Sequence, residues 1–278
     1  MKYSDLHIHS CYSDGVLTPE KIIKVALEKN LKTIAITDHD TLSSQYVTKL
    51  NLENLDIISG IEISSKYKEN EIHILGYYIN IEESNIKRAI DILKTSRENR
   101  FKEVICRLNN KGIYLSMDDF SEFKDSTIGR AHIANVLVKK GYSNNYKEAF
   151  NLYLLEGKDT FVERYKFSYR ETIDIIRKSG GIAILSHPGK IKIGIDIENL
   201  IKDLKFYGLQ GIEVYHPSHN SKQISYFYNL AKKHKLLITG GSDCHGMKNI
   251  TDEILLGSYG IDEILMNKIK AYHLKQRR

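Results

Sequence analysis

The sequence predicts an α/β barrel interrupted by a block of helices, and three observations carry that prediction. Short β-branched, apolar runs alternate with amphipathic segments along most of the chain, the rhythm that builds a mostly parallel sheet with right-handed connections. Between about residues 81 and 167 the rhythm gives way to helical spacing alone. At 278 residues the chain is long enough for a closed barrel, which takes about 250, and no second full domain is required. The expected organisation is a barrel formed by 1–80 and 168–278, with 81–167 as an insertion over its working end.

Taken in order, Tyr3 to Ile8 reads as the first strand. Thr18-Pro19 then supplies an N-cap and a proline at the first helical position for a helix to about Asn30. A strand from Thr33 to Thr37, a helix over 42–52 and strands over 56–64 and 71–79 follow. A long helix from Ser84 to Lys111, closed by Gly112, opens the insertion. The alternation resumes with a helix over 169–179, started by the capping box Ser168-Tyr169-Arg170-Glu171 and stopped by Gly180-Gly181. Strands over 182–186, 211–215 and 236–240 then alternate with helices over 197–207 and 219–234, enough units to favour closure. Neither border of the insertion carries a Pro/Gly-rich linker, so it is expected to pack firmly on the barrel.

Several classes are set aside early. The N-terminus has no charged-then-apolar leader, and no run approaches the roughly 18 apolar residues of a membrane span. The three cysteines, at 11, 106 and 244, form neither a disulfide framework nor a paired metal knot, in keeping with a reducing, cytoplasmic setting. No internal repeat is visible, and nothing marks an obligate protein partner.

The chemistry lies at the strand ends. His7 and His9 are two residues apart in a strand, so they share a face while Leu6 and Ile8 take the core. Asp14, His39, Glu62, His73, His187, Asp243 and His245 each stand in or just beyond a similar apolar run. Six imidazoles and three carboxylates exceed the four donors of a tetrahedral zinc, so two to three divalent ions are expected. Mixed imidazole and carboxylate suits manganese first, with iron or zinc as alternatives, rather than calcium or magnesium. Clustered ions of this kind serve phosphoester hydrolysis.

Together His7-x-His9, Ser13-Asp14-Gly15, Thr37-Asp38-His39-Asp40, Gly60-x-Glu62, His73, Ser186-His187-Pro188-Gly189 and Gly241-Ser242-Asp243-x-His245-Gly246 resemble the polymerase and histidinol phosphatase (PHP) family, at both ends of the chain. The resemblance implies a distorted β/α barrel of about seven strands around a trinuclear metal centre. It implies one ion on His7, His9, Glu62 and Asp243, a second on Asp14, His39 and His245, and a third held by Glu62 with His73 and His187. Cys244 stands where relatives carry a larger apolar group and reads as a small buried residue. Within the family the chain looks most like nucleoside 3′,5′-bisphosphate phosphatases that also degrade short RNA from the 5′ end. That likeness rests on the insertion, on Ile128-Gly129-Arg130-Ala131-His132 with alanine in place of the usual proline, and on Gly211-Ile212-Glu213-Val214-Tyr215-His216-Pro217-Ser218-His219. Histidinol-phosphate or other small-molecule or protein phosphatase activity is the alternative on the same fold. A polymerase-associated proofreading module would lack ligands or adjoin polymerase sequence, and this chain does neither.

The insertion helix adds a physical argument. Ile86, Ile90, Leu93, Phe101, Val104 and Leu108 form its apolar stripe, and Arg97 and Arg100 fall on that stripe rather than opposite it. A buried arginine either pairs with a carboxylate or grips an anion, and metals opposite favour a phosphate. Arg97, Arg100, Arg130 and His132 are therefore the expected clamp for a second phosphate on the nucleotide. The same helix, 84–111, carries eight Lys or Arg against three acids in a chain of net charge +6. No aromatic-plus-basic track for long single strands accompanies it, so a small nucleotide is the expected substrate and short RNA a secondary one. Asp14 and His219 complete the expected catalytic set, His219 either donating a proton to the leaving oxygen or serving as a structural hydrogen-bonder.

Overall fold

In the computed structural model, which describes residues 3–123, 126–192, 194–246 and 255–276, seven strands run side by side until the last returns to the first. They are β1 (Ser4–Ile8), β2 (Thr33–Ile36), β3 (Asp56–Tyr67), β4 (Asn70–Tyr77), β6 (Ile182–Leu185), β7 (Gly211–Tyr215) and β8 (Leu237–Gly240), with the two-residue β5 (Phe167–Ser168) paired on the outer part of β3. The ring is nearly closed by the segment after β8: the His9 N–H donates to the Cys244 carbonyl at 2.9 Å and the Asp243 N–H to the His7 carbonyl at 2.8 Å. The barrel expected from the alternation is thus present, with one departure. β4 runs antiparallel to both β3 and β6, because the turn at Lys68 (φ 52°) joins β3 to β4 as a tight hairpin, and a short connection permits only antiparallel pairing. The parallel strands therefore present their C-terminal ends to one mouth, and β4 presents its N-terminal half, which carries His73.

Helices cover the outside: α1 (Pro19–Glu28), α2 (Ser84–Asn110), α3 (Arg130–Lys139), the single turn α4 (Tyr146–Ala149), α5 (Tyr169–Lys178), α6 (Ile197–Phe206), α7 (Ser221–Lys233) and α8 (Glu263–Gln276). The predicted caps form. Thr18 accepts from the Lys21 N–H, and Ser168 and Glu171 bond each other's backbone N–H at the start of α5. The helix expected over 42–52 is instead a 3₁₀ helix, Ser43–Lys49, which no side chain caps. α8 went unread because its apolar positions form no clear stripe; among them Met266 and Ile269 are buried.

Helix α2 belongs to two cores. Ile86, Ala89 and Leu93 pack into the barrel cluster with Ile61, Ile173 and Leu200. Phe101, Val104 and Leu108 pack into a separate cluster with Ile133, Leu137 and Leu154 from the helical segment. Arg97 and Arg100, each 8% exposed, sit where the stripe passes from one core to the other. An isoleucine or leucine there would contribute about 1.5–3 kcal/mol by burial, so two guanidiniums at the seam call for a reason other than stability.

Candidate active site

The loops at the barrel mouth are built by buried polar residues. Asp38 accepts from Ser10 N–H at 2.7 Å, Ser10 Oγ at 2.6 Å and Ser13 Oγ at 2.5 Å, which folds the loop carrying His9 and Asp14. Asp5 accepts from the N–H groups of Ser242 (2.9 Å) and Gly257 (2.7 Å) and so fixes the approach to Asp243. Gly241 lies against His7, where a Cβ would come within 2.4 Å of the His7 backbone nitrogen. That close approach lets the β8 loop reach the β1 histidines.

On this frame four donor atoms converge. His7 Nε2 lies 3.1 Å from His9 Nε2, 3.2 Å from Glu62 Oε2 and 3.4 Å from Asp243 Oδ1. His9 Nε2 lies 3.3 Å from the same Glu62 oxygen and 3.1 Å from the same Asp243 oxygen. Donors arranged tetrahedrally about 2.0–2.1 Å from a metal are separated by roughly 3.3 Å, so these spacings match the edges of such a site. A second group, His9, Asp14, His39 and His245, adjoins it, with His245 Nε2 at 3.2 Å from Asp14 Oδ1. Glu62 links both to a third region, where its Oε1 lies 3.1 Å from His73 Nδ1 and 2.9 Å from His187 Nε2.

The residues fit metal ions on independent grounds. His9 Nδ1, Asp14 Oδ1 and His39 Nδ1 are buried without a well-aligned hydrogen bond, although His245 Nε2 and Glu62 Oε2 each lie 3.2 Å from Asp14 Oδ1 and His39 Nδ1 respectively, an arrangement that a bound ion would satisfy better. Burial opposes charge throughout the cluster, yet Asp243, Glu62 and Asp14 outweigh it at His9 and lift its pKa to about 10. Burial likewise opposes ionisation of Asp14 and Glu62, but surrounding imidazoles hold both well below the usual carboxylate range. At His39 burial wins and depresses the pKa to about 3, leaving a neutral ring with one nitrogen lone pair to offer.

Facing this cluster is the seam of α2. One cavity of about 180 Å³ is lined by Asp14, His39 and His73 on the barrel side and by Arg97, Arg100, Arg130 and Arg164 on the other. The four arginines are not equivalent. Arg97 donates to Asp40 Oδ2 through Nε at 2.9 Å and Nη2 at 2.5 Å, and Arg164 Nη1 lies 3.0 Å from the same oxygen. Burial would raise the Asp40 pKa, but Arg164 and Arg97 hold it down to about 2. Arg130 lies over the Phe150 ring and donates to the Leu154 carbonyl. Arg100 makes no ion pair among the described residues; burial and then Arg97, Arg164 and Arg130 press its pKa down, and the more distant Glu71 of the same cavity only partly offsets them. It is the guanidinium most in need of an anion.

The model of the PHP domain matches residues 5–191. The chain belongs to the PHP domain family. A 5′-3′ exoribonuclease of Haemophilus influenzae is 32% identical over 88% of this chain and 90% of its own length. A 3′,5′-nucleoside bisphosphate phosphatase of Chromobacterium violaceum is 31% identical over 87% and 86% respectively. A solved structure from the same organism, described as an amidohydrolase with bound sulfate and no metal, superposes with a TM-score of 0.85 at 28% identity, covering 97% of this chain and 96% of that one.

Two expected residues of this PHP chain are engaged elsewhere. His132, expected in the phosphate clamp, accepts the Gly129 N–H at 3.0 Å, packs on Phe123 and does not line the cavity, because α3 starts at a glycine that has no side chain to cap with. His219, considered as proton donor or structural group, takes the structural role. Its Nδ1 donates to the Val214 carbonyl at 2.9 Å and its Nε2 accepts the Gly189 N–H at 3.0 Å, so neither nitrogen is free for the leaving oxygen. Ala131 is the second residue of α3, inside the first turn, where an alanine and a proline are both accommodated. Cys244 is buried, as read.

Sequence reasoning missed Glu213 and Arg164, and it set His216 beside His219 as a group that could orient substrate or protonate the leaving oxygen rather than as a partner of Asp243. Glu213, fully buried on β7, accepts from His7 Nδ1 at 3.0 Å and from the His187 N–H at 2.8 Å, which leaves His7 Nε2 with its lone pair toward the cluster. His216 Nδ1 accepts the Ser218 N–H, so its Nε2 donates to Asp243 Oδ2 at 3.2 Å and orients that carboxylate. Arg164 shares Asp40 with Arg97. Glu213 and His216 carried a faint signal, standing in the quoted run after Gly211; Arg164 lies in an irregular segment with no periodicity to set it apart.

Proposed function

We propose that this PHP enzyme, a metal-dependent phosphoric ester hydrolase, removes the 3′-phosphate of nucleoside 3′,5′-bisphosphates and degrades short 5′-phosphorylated RNA stepwise from its 5′ end. The observation that carries the reading is one small cavity with a metal-fitting cluster on one wall and the unpaired, buried Arg100 on the other. His7, His9, Glu62 and Asp243 would hold one divalent ion, Asp14, His39 and His245 a second, and Glu62 with His73 and His187 a third, with manganese the first choice and iron or zinc the alternatives. Such ions supply a water of lowered pKa and offset charge on a phosphoryl group. The chain's own residues do the rest. Arg100 and Arg130 bind the remote 5′-phosphate, Asp40 keeps the Arg97 fork in the cavity wall, and Glu213 and His216 fix the faces that His7 and Asp243 present. Segment 81–167 closes the mouth and sets the distance between the two phosphates.

No helix among the described residues is long and apolar enough to cross a membrane. The enzyme is proposed to act in the cytoplasm on a small nucleotide, without membrane or obligate protein partner. The test compares phosphate release from 3′-phosphoadenosine 5′-phosphate, from adenosine 3′-monophosphate and from an aryl phosphate. The bisphosphate is expected to give by far the highest kcat/KM and to yield AMP, and RNA with a 5′-hydroxyl is expected to resist. Equal efficiency on mono- and bisphosphates would instead favour the general phosphatase alternative.

A further inference from the structure

The catalytic cavity is small and polar for a whole nucleotide. Its volume is about 180 Å³, with walls dominated by charged side chains, whereas sites enclosing a ligand of that size run from roughly 300 Å³ upward. Two phosphates and a ribose suit such walls, but a flat heteroaromatic ring does not. A second cavity of about 320 Å³ adjoins the first, and Arg97 and Thr127 line both.

The second cavity has a different character. Phe101, Met117 and Ile128 give it apolar surface, and Thr41, Ser43, Ser126 and Thr127 surround that surface with hydroxyls. Helix α2 supplies one wall from a single face, with Lys94, Arg97, Glu98 and Phe101 at helical spacing. The Nε–Nη2 edge of the Arg97 guanidinium is committed to Asp40, which leaves its flat faces and Nη1 for a neighbour. Apolar carbon and a guanidinium plane are what the face of a nucleobase stacks on.

We propose that this second cavity is the base compartment of the substrate site, with Arg97 as the partition between base and phosphates; the inference rests on the nucleotide reading above. Thr41 and Ser43 already bond each other and Ser126 Oγ donates to the Cys11 carbonyl, so the rim has little directional bonding left for a base edge, and the compartment holds a base without selecting one. That suits an enzyme that must take whichever nucleotide stands at an RNA end. The competing location is the first cavity itself, where Tyr146 and Phe150 offer aromatic rings.

Binding of product-like ligands to the full chain, by calorimetry, tests the assignment apart from turnover. The wild type is expected to bind AMP about tenfold or more tightly than ribose 5-phosphate, the range that base stacking supplies. GMP, CMP and UMP should lie within about threefold of AMP, as expected where stacking rather than edge recognition holds the base. Ile128→Trp fills the compartment, and Met117→Asp puts a charge on its wall at a residue 59% exposed, where the fold is not threatened. Each should erase most of the AMP advantage while ribose 5-phosphate binding stays within about twofold, because the base contributes nothing to that ligand. An advantage that survives both variants, or that disappears in Tyr146→Ala, places the base in the first cavity and overturns the proposal. So does a wild type that binds AMP and ribose 5-phosphate alike. A protein that binds AMP in this way yet releases no phosphate from the bisphosphate would refute the proposed activity and leave the compartment standing; turnover without base-dependent binding would do the reverse.

Discussion

The barrel wall of the catalytic cavity and the α2 wall are left with opposite unmet needs. On the barrel wall, imidazoles and carboxylates hold one another at 3.1–3.4 Å, the spacing of donors grouped about a cation. Across the cavity, Arg97 and Arg164 share a single carboxylate oxygen, that of Asp40, Arg130 is held by the Phe150 ring and the Leu154 carbonyl, and Arg100 pairs with no carboxylate among the described residues. The first wall is completed by a cation and the second by an anion. A substrate with phosphates at both ends of one ribose satisfies the two together, whereas a phosphomonoester satisfies only one.

Breaking the barrel wall should have the largest effect. Asp243→Ala or His9→Ala is expected to lower phosphate release at least about a thousandfold while the circular dichroism spectrum stays native. Elemental analysis of protein purified without chelator should give more than one equivalent of transition metal for the wild type and less for either variant. One equivalent or less with full activity would remove the multinuclear reading.

Asp40→Ala breaks the other wall at its anchor. It strands Arg97 and Arg164 without their shared carboxylate, and removing one side of a buried ion pair costs about 3–5 kcal/mol. Denaturant unfolding should show that loss; a change under about 1 kcal/mol would mean that both arginines find water or new acceptors.

The comparison sharpens within the α2 wall itself. Arg100→Ala should reduce kcat/KM for the bisphosphate by about tenfold to a hundredfold, since it removes a charged hydrogen bond to the remote phosphate. An aryl phosphate should lose no more than about threefold, because it has no remote phosphate to lose. Arg97→Ala should cost less than Arg100→Ala in this ratio, because Arg97 already spends its fork on Asp40. The reverse ranking would show that substrate pulls Arg97 off its partner.

A smaller effect concerns His132 and His219, both pushed down from their ordinary value by burial and both neutral in the fold. The unfolded chain protonates them near 6.5 while the folded chain does not. Their contribution is therefore complete above about pH 6.5 and is lost as pH falls toward the folded values. In metal-loaded protein, the fall in melting temperature from pH 7 to 5 should be shallower in His219→Gln than in wild type. An identical slope would mean that His219 keeps its proton balance on unfolding.

The smallest effect is expected from the thiols. Cys11→Ser with Cys244→Ser should leave metal content unchanged, because imidazole and carboxylate donors already account for the cluster. Loss of an ion would reveal a thiolate ligand.

The parts of this molecule that were legible in sequence are those fixed by short-range pattern. His7 and His9 declare themselves by strand alternation, α5 by its capping box, and the inward arginines of α2 by their phase against the apolar residues. What was not legible depends on which segments meet. Nothing local says that Asp40 faces Arg97, 57 residues away, or that Glu213 faces His7, 206 residues away. His132 and His219 have the composition of catalytic groups, and only the backbone atoms around them show that their nitrogens are occupied. The antiparallel setting of β4 was hidden for a related reason: a strand's hydrophobic pattern carries no arrow.

That reversed strand also sets the phase of the helix that follows it. Because β4 ends at the barrel's far rim, α2 starts there, beside the end of α5 where the Asn80 N–H donates to the Ser179 carbonyl, and climbs back toward the mouth. Thirteen residues separate Ser84 from Arg97, a climb of about 20 Å. The arginines therefore reach the cavity by dead reckoning along a rigid rod. One residue inserted between Ile86 and Leu93 would turn everything beyond it by about 100°, swinging Arg97 and Arg100 away from the metals while altering no residue that touches substrate. A whole added turn would restore the direction and miss by about 5.4 Å in height. This stretch is therefore expected to tolerate substitution far better than insertion or deletion.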